Sequence, residues 1–145
     1  MTQFLGCVAL VVPDYDAAIA YYTQVLGFTL MEDTALPKGQ RWVTVAPPCA
    51  TDAPSQTRLL LAQAKGEAQT QRIGDQTGGR VFLFLHSDDF WRDYNAYRAR
   101  GIEFLETPRE ESYATVTVFQ DLFGNRWDLL QPRTAITSLP LKAPA

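Results

Sequence analysis

An internal repeat constrains this chain more strongly than any single motif. Asp14 and Gly27 are separated by 13 residues, as are Asp88 and Gly101, so a shift of 74 residues superimposes one pair on the other. In each pair the aspartate precedes, and the glycine follows, a segment with apolar residues at helical spacing. Aspartate is favoured at the N-cap of a helix and glycine just beyond its end. The sequence therefore predicts the same helix twice, within a duplicated structural unit.

The strand pattern repeats around these helices. Residues 58–63 (RLLLAQ) align with residues 126–131 (RWDLLQ) at a shift of 68. Apolar and alternating runs predict eight strands in all. They cover residues 4–12, 28–31, 41–45, 58–62, 80–86, 102–105, 113–120 and 126–131. We predict an α+β fold in which two βαβββ modules form a curved, cleft-enclosing mixed sheet.

The chain length of 145 residues suits a single domain, 1–145. We place the first module at 4–63 and the second at 80–131. A polar connector, 64–79, ends in two glycines, and the proline-containing tail 132–145 is predicted to be irregular.

Composition excludes several classes of function. The net charge is −3, so the chain lacks the basic balance that nucleic-acid binding needs. The longest apolar run, residues 8–12, is far shorter than the ~20 residues of a membrane helix, and the N-terminus lacks a signal-peptide pattern. The two cysteines do not form a disulfide framework. We therefore expect a cytoplasmic protein with no nucleic-acid or membrane partner.

Segments in both modules carry a resemblance to a known family. Residues 7–15 (CVALVVPDY), 18–22 (AIAYY) and 25–28 (VLGF) are similar to the first module of the vicinal-oxygen-chelate superfamily. This superfamily comprises glyoxalases, bleomycin resistance proteins and extradiol dioxygenases. Residues 119–129 (FQDLFGNRWDL) resemble the end of its second module, and the likeness extends over about 4–131. The resemblance implies a homodimer and a small-molecule ligand.

The same resemblance locates the positions that hold a metal ion in the enzymes of the superfamily. These lie on the first and last strands of each module. In this chain they fall on Cys7, Leu60 and Asp128, and on Val81 or, with a slip of one residue, Phe82. Leucine and valine cannot coordinate a cation. We therefore predict no standard metal centre and no cofactor.

Strand alternation assigns the faces of the first strand in the second module. If Val81 points into the cleft, Leu83 and Leu85 do so as well, whereas Phe84 and His86 point toward the helices. The slipped register reverses this assignment. His86 is the only histidine, and we expect it to have a structural role.

Several residues are candidates for a ligand pocket. Arg58 and Arg126 share the strand faces of Leu60 and Asp128, and either arginine could bind an anionic ligand or pair with Asp128. Trp42 could stack on a planar ligand or take part in core or dimer packing, and Cys7 could simply pack. The predicted pocket set is Cys7, Trp42, Arg58, Leu60, Val81, Leu83, Arg126 and Asp128.

Two functions from different classes follow. The first is a binding protein that takes a small hydrophobic or aromatic molecule in the cleft without a metal. The alternative is a metal-dependent lyase or dioxygenase with a non-standard site around Asp128 and Cys7. Its cofactor would be a divalent metal, Fe, Ni, Zn or Mn.

Overall fold

The computed structural model describes residues 1–49 and 56–133. Its contacts divide the chain into two compact units. Unit 1 comprises Met1–Gly78 together with Leu122–Gly124, and unit 2 comprises Gly79–Asp121 and Asn125–Ala145. Each unit has its own mixed sheet, and the predicted α+β class is confirmed.

Unit 1 contains a four-stranded sheet. Its strands are β1 (Cys7–Val12), β2 (Thr29–Ala35), β3 (Arg41–Ala46) and β4 (Arg58–Gln63). Their order across the sheet is β1-β4-β3-β2, with β1 parallel to β4 and the other pairs antiparallel. The first strand starts three residues later than predicted, and β2 continues past residue 31 through a polar segment.

A single helix, α1, lies between β1 and β2. It spans Tyr15–Ala20 and continues into a π-helical turn, Tyr21–Val25. The carboxylate of Asp14 accepts a hydrogen bond from the backbone N–H of Ala17 at 2.8 Å, which confirms the predicted N-cap. Gly27 ends the helix with a φ of 75°, a left-handed conformation that glycine adopts without strain.

The helix buries one face of this sheet. α1 contacts β3 and β4, and side chains from both layers are almost completely buried between them. The buried side chains include Leu10, Val12, Ala18, Tyr22, Val43, Val45 and Leu61. We call the sheet face turned away from the helix of the same unit the open face.

The polar connector contains structure of its own. A short helix, α2, spans Gly66–Thr70. Further along, the Gln76 side chain accepts a hydrogen bond from Val11 N–H at 2.7 Å and donates one to the Ala9 carbonyl at 3.2 Å. Gln76 thereby satisfies backbone groups at the unpaired edge of β1, where a strand would otherwise stay open to another chain.

Unit 2 repeats the strand order of unit 1. Its strands are β5 (Leu83–His86), β6 (Glu103–Phe104), β7 (Arg109–Glu110), β8 (Ala114–Gln120) and β9 (Arg126–Pro132). The order is β5-β9-β8-β6, and β7 also pairs with β8. The irregular tail was predicted to start at residue 132, but this residue is still the last one of β9. Residues from 134 onward lie outside the described part.

The helix of unit 2, α3, spans Phe90–Ala99. Its N-cap is Asp89, whose carboxylate accepts from Arg92 N–H at 3.1 Å, so the predicted boundary at Asp88 is wrong by one residue. Asp88 instead forms an ion pair with Arg92 at 2.6 Å. The helix packs through Phe90 and Tyr97, which are 0% and 6% exposed.

The π-helical turn explains this difference of one residue. Arg58 and Arg126 are equivalent positions in the two last strands. Cys7 lies opposite Arg58. Leu83 lies opposite Trp127, so the preceding residue, Phe82, lies beside Arg126. The first strands are therefore related by a shift of 75, as are the two N-caps, whereas the glycines after the helices are related by 74. A π-helical turn contains one more residue than an α-helical turn. The counterpart of Cys7 is Phe82, and the assignment to Val81 is wrong.

Helices long and apolar enough to cross a membrane do not occur within residues 1–49 and 56–133.

Candidate functional site

The open face of the unit 1 sheet brings together side chains from four strands. Neighbours in register on adjacent strands share a face, and residues along a strand alternate. Cys7 on β1 therefore lies beside Arg58 on β4, and Leu60 lies beside Thr44 on β3. Thr44 in turn lies opposite Glu32 on β2.

A pocket of about 260 Å³ opens on this face. It is lined by Phe4, Gly6, Cys7, Glu32, Trp42, Thr44, Gln56 and Arg58. Three of the predicted pocket residues, Cys7, Trp42 and Arg58, are part of this lining. Leu60 lies on the same sheet face but is outside the lining.

Glu32 is the centre of the polar contacts in this pocket. Its Oε2 atom accepts hydrogen bonds from Trp42 Nε1 at 2.8 Å and from Thr44 Oγ1 at 3.1 Å. The same oxygen lies 3.8 Å from a terminal nitrogen of Arg58. Glu32 therefore fixes the indole of Trp42 and faces Arg58, the one cationic side chain among the described residues of the pocket lining.

Sequence reasoning missed Glu32 because of a β-bulge. The pairing of β2 with β3 shifts between Leu30 and Glu32, so that Glu32, rather than Met31, lies opposite Thr44. An extra residue at a bulge reverses which side chains reach each face beyond it. The run Met31-Glu32-Asp33 gives no pattern that locates such a bulge, and the predicted strand ended at residue 31.

Trp42 is held in place and still accessible. It retains 40% of its surface exposed, although its indole N–H is bonded to Glu32. The side chain is therefore outside the core of unit 1. An aromatic side chain with a fixed orientation and an accessible ring provides a surface on which a planar molecule can stack.

The open face of unit 2 has a different character. Asp128 on β9 lies between Phe84 on β5 and Val118 on β8. Phe84 is 60% exposed. Leu83 lies opposite the buried Trp127, so it lies on the helix face, and its predicted position on the cleft face is wrong.

Because the register of β5 differs by one residue from the Val81 assignment, His86 also lies on the other face of the sheet. It lies opposite Leu130 on β9 and is exposed on the open face, rather than pointing toward the helices. On β8 the sequence left the faces undecided. Phe119 packs edge-on against Tyr97 of α3, with ring centroids 5.5 Å apart, so Thr117 and Phe119 lie on the helix face.

Asp128 is half-buried and has no hydrogen-bonding or ion-pair partner among the described residues. Burial raises the pKa of this carboxyl; the charge of Arg109 opposes that shift and the charge of Glu106 adds to it. Pairing with an arginine of the last strands was one of the alternatives for Asp128, and no such ion pair occurs among the described residues. Arg126 donates to the Gly79 carbonyl at 3.0 Å, and the ion pair of Arg58 is with Glu32.

The family follows from the sequence match over this fold. A sequence model of the Glyoxalase/Bleomycin resistance protein/Dioxygenase superfamily matches residues 5–129. The chain belongs to this superfamily. A protein of Shewanella frigidimarina is 52% identical over 132 residues, which are 90% of this chain and 95% of the relative.

Two solved structures show the same fold. UcmS2 is 28% identical, with a TM-score of 0.75, and the match covers 90% of this chain and 98% of that one. TnmS3, an antibiotic binding protein from Streptomyces sp. CB03234, is 25% identical with a TM-score of 0.68. That match covers 90% of this chain and 97% of TnmS3.

The positions at which the resemblance implies metal ligands do not hold residues that fit a metal ion. In unit 1 these positions hold Cys7 and Leu60, and in unit 2 they hold Phe82 and Asp128. A catalytic metal usually has three protein ligands, and Leu60 and Phe82 have no donor atom. Within residues 1–49 and 56–133, no three His, Cys, Asp or Glu side chains form a group that could hold a metal ion.

Proposed function

We propose that this superfamily member binds a small planar, largely apolar molecule in the unit 1 pocket without a metal ion. The observation that supports this proposal best is the fixed, accessible indole of Trp42 in the wall of the pocket. Ligand pockets usually combine apolar and aromatic walls with a few placed polar groups. Phe4 and Trp42 supply the former here, and Glu32 and Arg58 supply the latter.

The size of the pocket favours a small ligand. Its volume of about 260 Å³ lies just below the usual range of about 300–1,000 Å³ for ligand pockets. A molecule with two fused rings would suit it. The similarity to TnmS3, which is an antibiotic binding protein, supports binding rather than turnover as the function.

The test compares planar and saturated compounds by isothermal titration calorimetry. We expect 2-naphthol to bind and its saturated analogue decahydro-2-naphthol to bind at least about tenfold more weakly, because only the planar ring stacks on the indole. Trp42→Ala should raise the Kd of 2-naphthol by about ten- to a hundredfold. The matched control is Trp91→Ala in α3, because Trp91 is 48% exposed but lies outside the pocket.

Equal affinities for both compounds, or equal losses in both variants, would contradict the proposal. The alternative function, a metal-dependent lyase or dioxygenase, has its own readout. The protein is incubated with Fe(II), Ni(II), Zn(II) or Mn(II), desalted and analysed for metal. Near-stoichiometric retention that disappears in Asp128→Ala would overturn metal-free binding, and glyoxalase and dioxygenase assays would then test the alternative.

We further propose that the protein is a cytoplasmic homodimer. The large exposed apolar side chains of Phe84 and Tyr113 support an association of copies. Light scattering at several concentrations measures the assembly, and a monomer at all of them would refute it. Fractionation of cells tests the location.

A further inference from the structure

We propose that the ligand of the unit 1 pocket presents an uncharged edge with a hydrogen-bond acceptor beside a donor, as in a carboxamide or a lactam. Arg58 binds the acceptor and Glu32 binds the donor. This inference rests on the proposed function, because it concerns the same pocket, and it specifies the chemical class of the molecule that stacks on Trp42.

Arg58 has hydrogen-bond donors that no described residue uses. Its guanidinium lies 3.8 Å from Glu32 Oε2, which is too long for a hydrogen bond. No hydrogen bond of its side chain to another described residue occurs, although a guanidinium has five N–H donors. The side chain is 34% exposed and lines the pocket, so these donors are available to an acceptor on a ligand.

Glu32 has the complementary property. Both of its hydrogen bonds, from Trp42 and Thr44, end on Oε2. Within the described part of the chain, Oε1 accepts none, and the side chain is 44% exposed. An ionised carboxylate is only an acceptor. Oε1 can therefore accept a hydrogen bond from a ligand while Oε2 keeps the indole of Trp42 in position.

The balance of charge selects a neutral ligand. Among the described residues that line the pocket, Arg58 and Glu32 are the only Lys, Arg, Asp or Glu side chains, and they contribute one charge of each sign. An anionic group bound to Arg58 would be repelled by Glu32, and a cationic group bound to Glu32 would be repelled by Arg58. A neutral acceptor and donor side by side satisfy both residues without either repulsion.

The experiment uses four naphthalenes that differ only at position 2, measured by isothermal titration calorimetry on the full chain. 2-Naphthamide has an acceptor and a donor, methyl 2-naphthoate has only acceptors, 2-naphthoate is an anion, and 2-methylnaphthalene has neither group. We expect 2-naphthamide to bind most tightly, about tenfold or more above 2-methylnaphthalene. The ester should be intermediate, and 2-naphthoate should bind more weakly than the amide.

Two substitutions in the pocket and one control outside it make the test specific. Arg58→Met should weaken the amide and the ester alike, whereas Arg72→Met, at an exposed arginine outside the pocket, should change neither. In Glu32→Gln, Trp42 and Thr44 hold the side-chain oxygen, so the NH2 group faces the ligand. The ranking should then reverse, with 2-naphthoate binding more tightly than 2-naphthamide. Thermal unfolding of each variant checks that it is folded.

Each remaining outcome overturns one idea. Tighter binding of 2-naphthoate than of 2-naphthamide to the unsubstituted protein would overturn the inference in favour of an anion site. Equal affinities for all four compounds would overturn the inference and leave the proposed function standing. Failure of all four to bind would overturn the proposed function itself.

Discussion

The two units share a strand order but place their polar groups in different parts of the structure. Unit 1 has the order β1-β4-β3-β2, and unit 2 has β5-β9-β8-β6. The open face of unit 1 carries the polar cluster around Glu32. The open face of unit 2 carries the lone carboxylate of Asp128 between Phe84 and Val118. In unit 2, a buried polar network lies instead in the turn between β8 and β9.

This difference shows which features of a duplicated unit are constrained and which are free to diverge. The helix face of each sheet is a packed core, where changes in volume are costly. The open face is not constrained in this way. In unit 1 a one-residue bulge in β2 moves Glu32 onto the open face. In unit 2 the equivalent edge is divided into two short strands, β6 and β7. A local irregularity therefore decides the chemistry of each face.

The largest effect that we expect comes from the turn in unit 2. Asp121 is 4% exposed, and its carboxylate accepts hydrogen bonds from Asn125 N–H, Asn125 Nδ2 and Trp127 Nε1, at 3.0–3.2 Å. Asp121→Ala leaves these donors buried without their acceptor, so the free energy of unfolding should fall by about 3–5 kcal/mol. Urea denaturation measures the loss.

The control for this change is Asp75→Ala in unit 1, at an exposed aspartate whose side chain has no partner among the described residues. It should alter the free energy of unfolding by no more than about 0.5 kcal/mol. Similar losses in Asp121→Ala and Asp75→Ala would show that the turn network is not the special feature of unit 2.

A smaller effect is expected at a close backbone approach in unit 1. A Cβ atom at Gly74 would lie 2.2 Å from the carbonyl oxygen of Phe123, and its φ of +74° is already unfavourable for alanine. Gly74→Ala should therefore destabilise the protein by about 2–3 kcal/mol. Gly78 has a φ of +68° with nothing within 4 Å of such a Cβ atom. Gly78→Ala should cost only about 1 kcal/mol, from the left-handed backbone alone.

The difference between these two variants isolates the steric contact, because the backbone conformations nearly match. Thermal and urea unfolding measure both. If Gly74→Ala were no more destabilising than Gly78→Ala, the close approach would be without consequence for stability.

The smallest expected effects are in the pH dependence of stability, which differs in sign between one carboxyl group of each sheet. In unit 1 a hydrogen bond from Arg41 lowers the pKa of Asp33, and in unit 2 burial raises the pKa of Asp128. Ionised Asp33 thus stabilises the fold above pH 3.8, its ordinary pKa, and this contribution is lost as the pH falls through its folded pKa. Asp128 contributes with the opposite sign: its contribution is present below pH 3.8 and is lost as the pH rises through its folded pKa.

At neutral pH, Asp33→Asn should therefore lower the free energy of unfolding and Asp128→Asn should raise it. Both differences should disappear in acid, where the carboxyls are protonated. Urea unfolding at neutral pH and at an acidic pH below the lowered folded pKa of Asp33 measures them. The same sign for both variants at neutral pH would contradict the contrast between the two sheets.

The sequence predicted the elements of the fold well and their relative register less well. The N-cap at Asp14 is confirmed, because a cap depends on local geometry alone. The assignments of Val81 and Leu83 were wrong because one extra residue in the π-helical turn shifts the repeat, and the side chains of a strand alternate at every residue. Both helices show apolar residues at helical spacing, so this pattern did not reveal the extra residue in the first one.

The pocket was predictable only in part, because regular strands can be followed by counting residues and a bulge cannot. Arg58 lies on a regular strand, so counting along β4 placed it on the face of Leu60, whereas Trp42 was a candidate from its residue type and only the register of β3 with β4 shows that it shares this face. Glu32 could not be placed by counting, because it follows a bulge that leaves no mark in the local pattern. The hydrogen bond that orients Trp42 joins residues ten positions apart in the chain, on two strands.

By itself the sequence determined the duplicated unit, the family and the absence of donor atoms at two of the four metal-binding positions. These follow from residue identity and from periodicities within single elements. Only the tertiary structure decided which face each residue of β5 occupies and that Glu32 enters the pocket. Both depend on one-residue insertions, which change the direction of side chains without changing the hydrophobic pattern from which secondary structure is predicted.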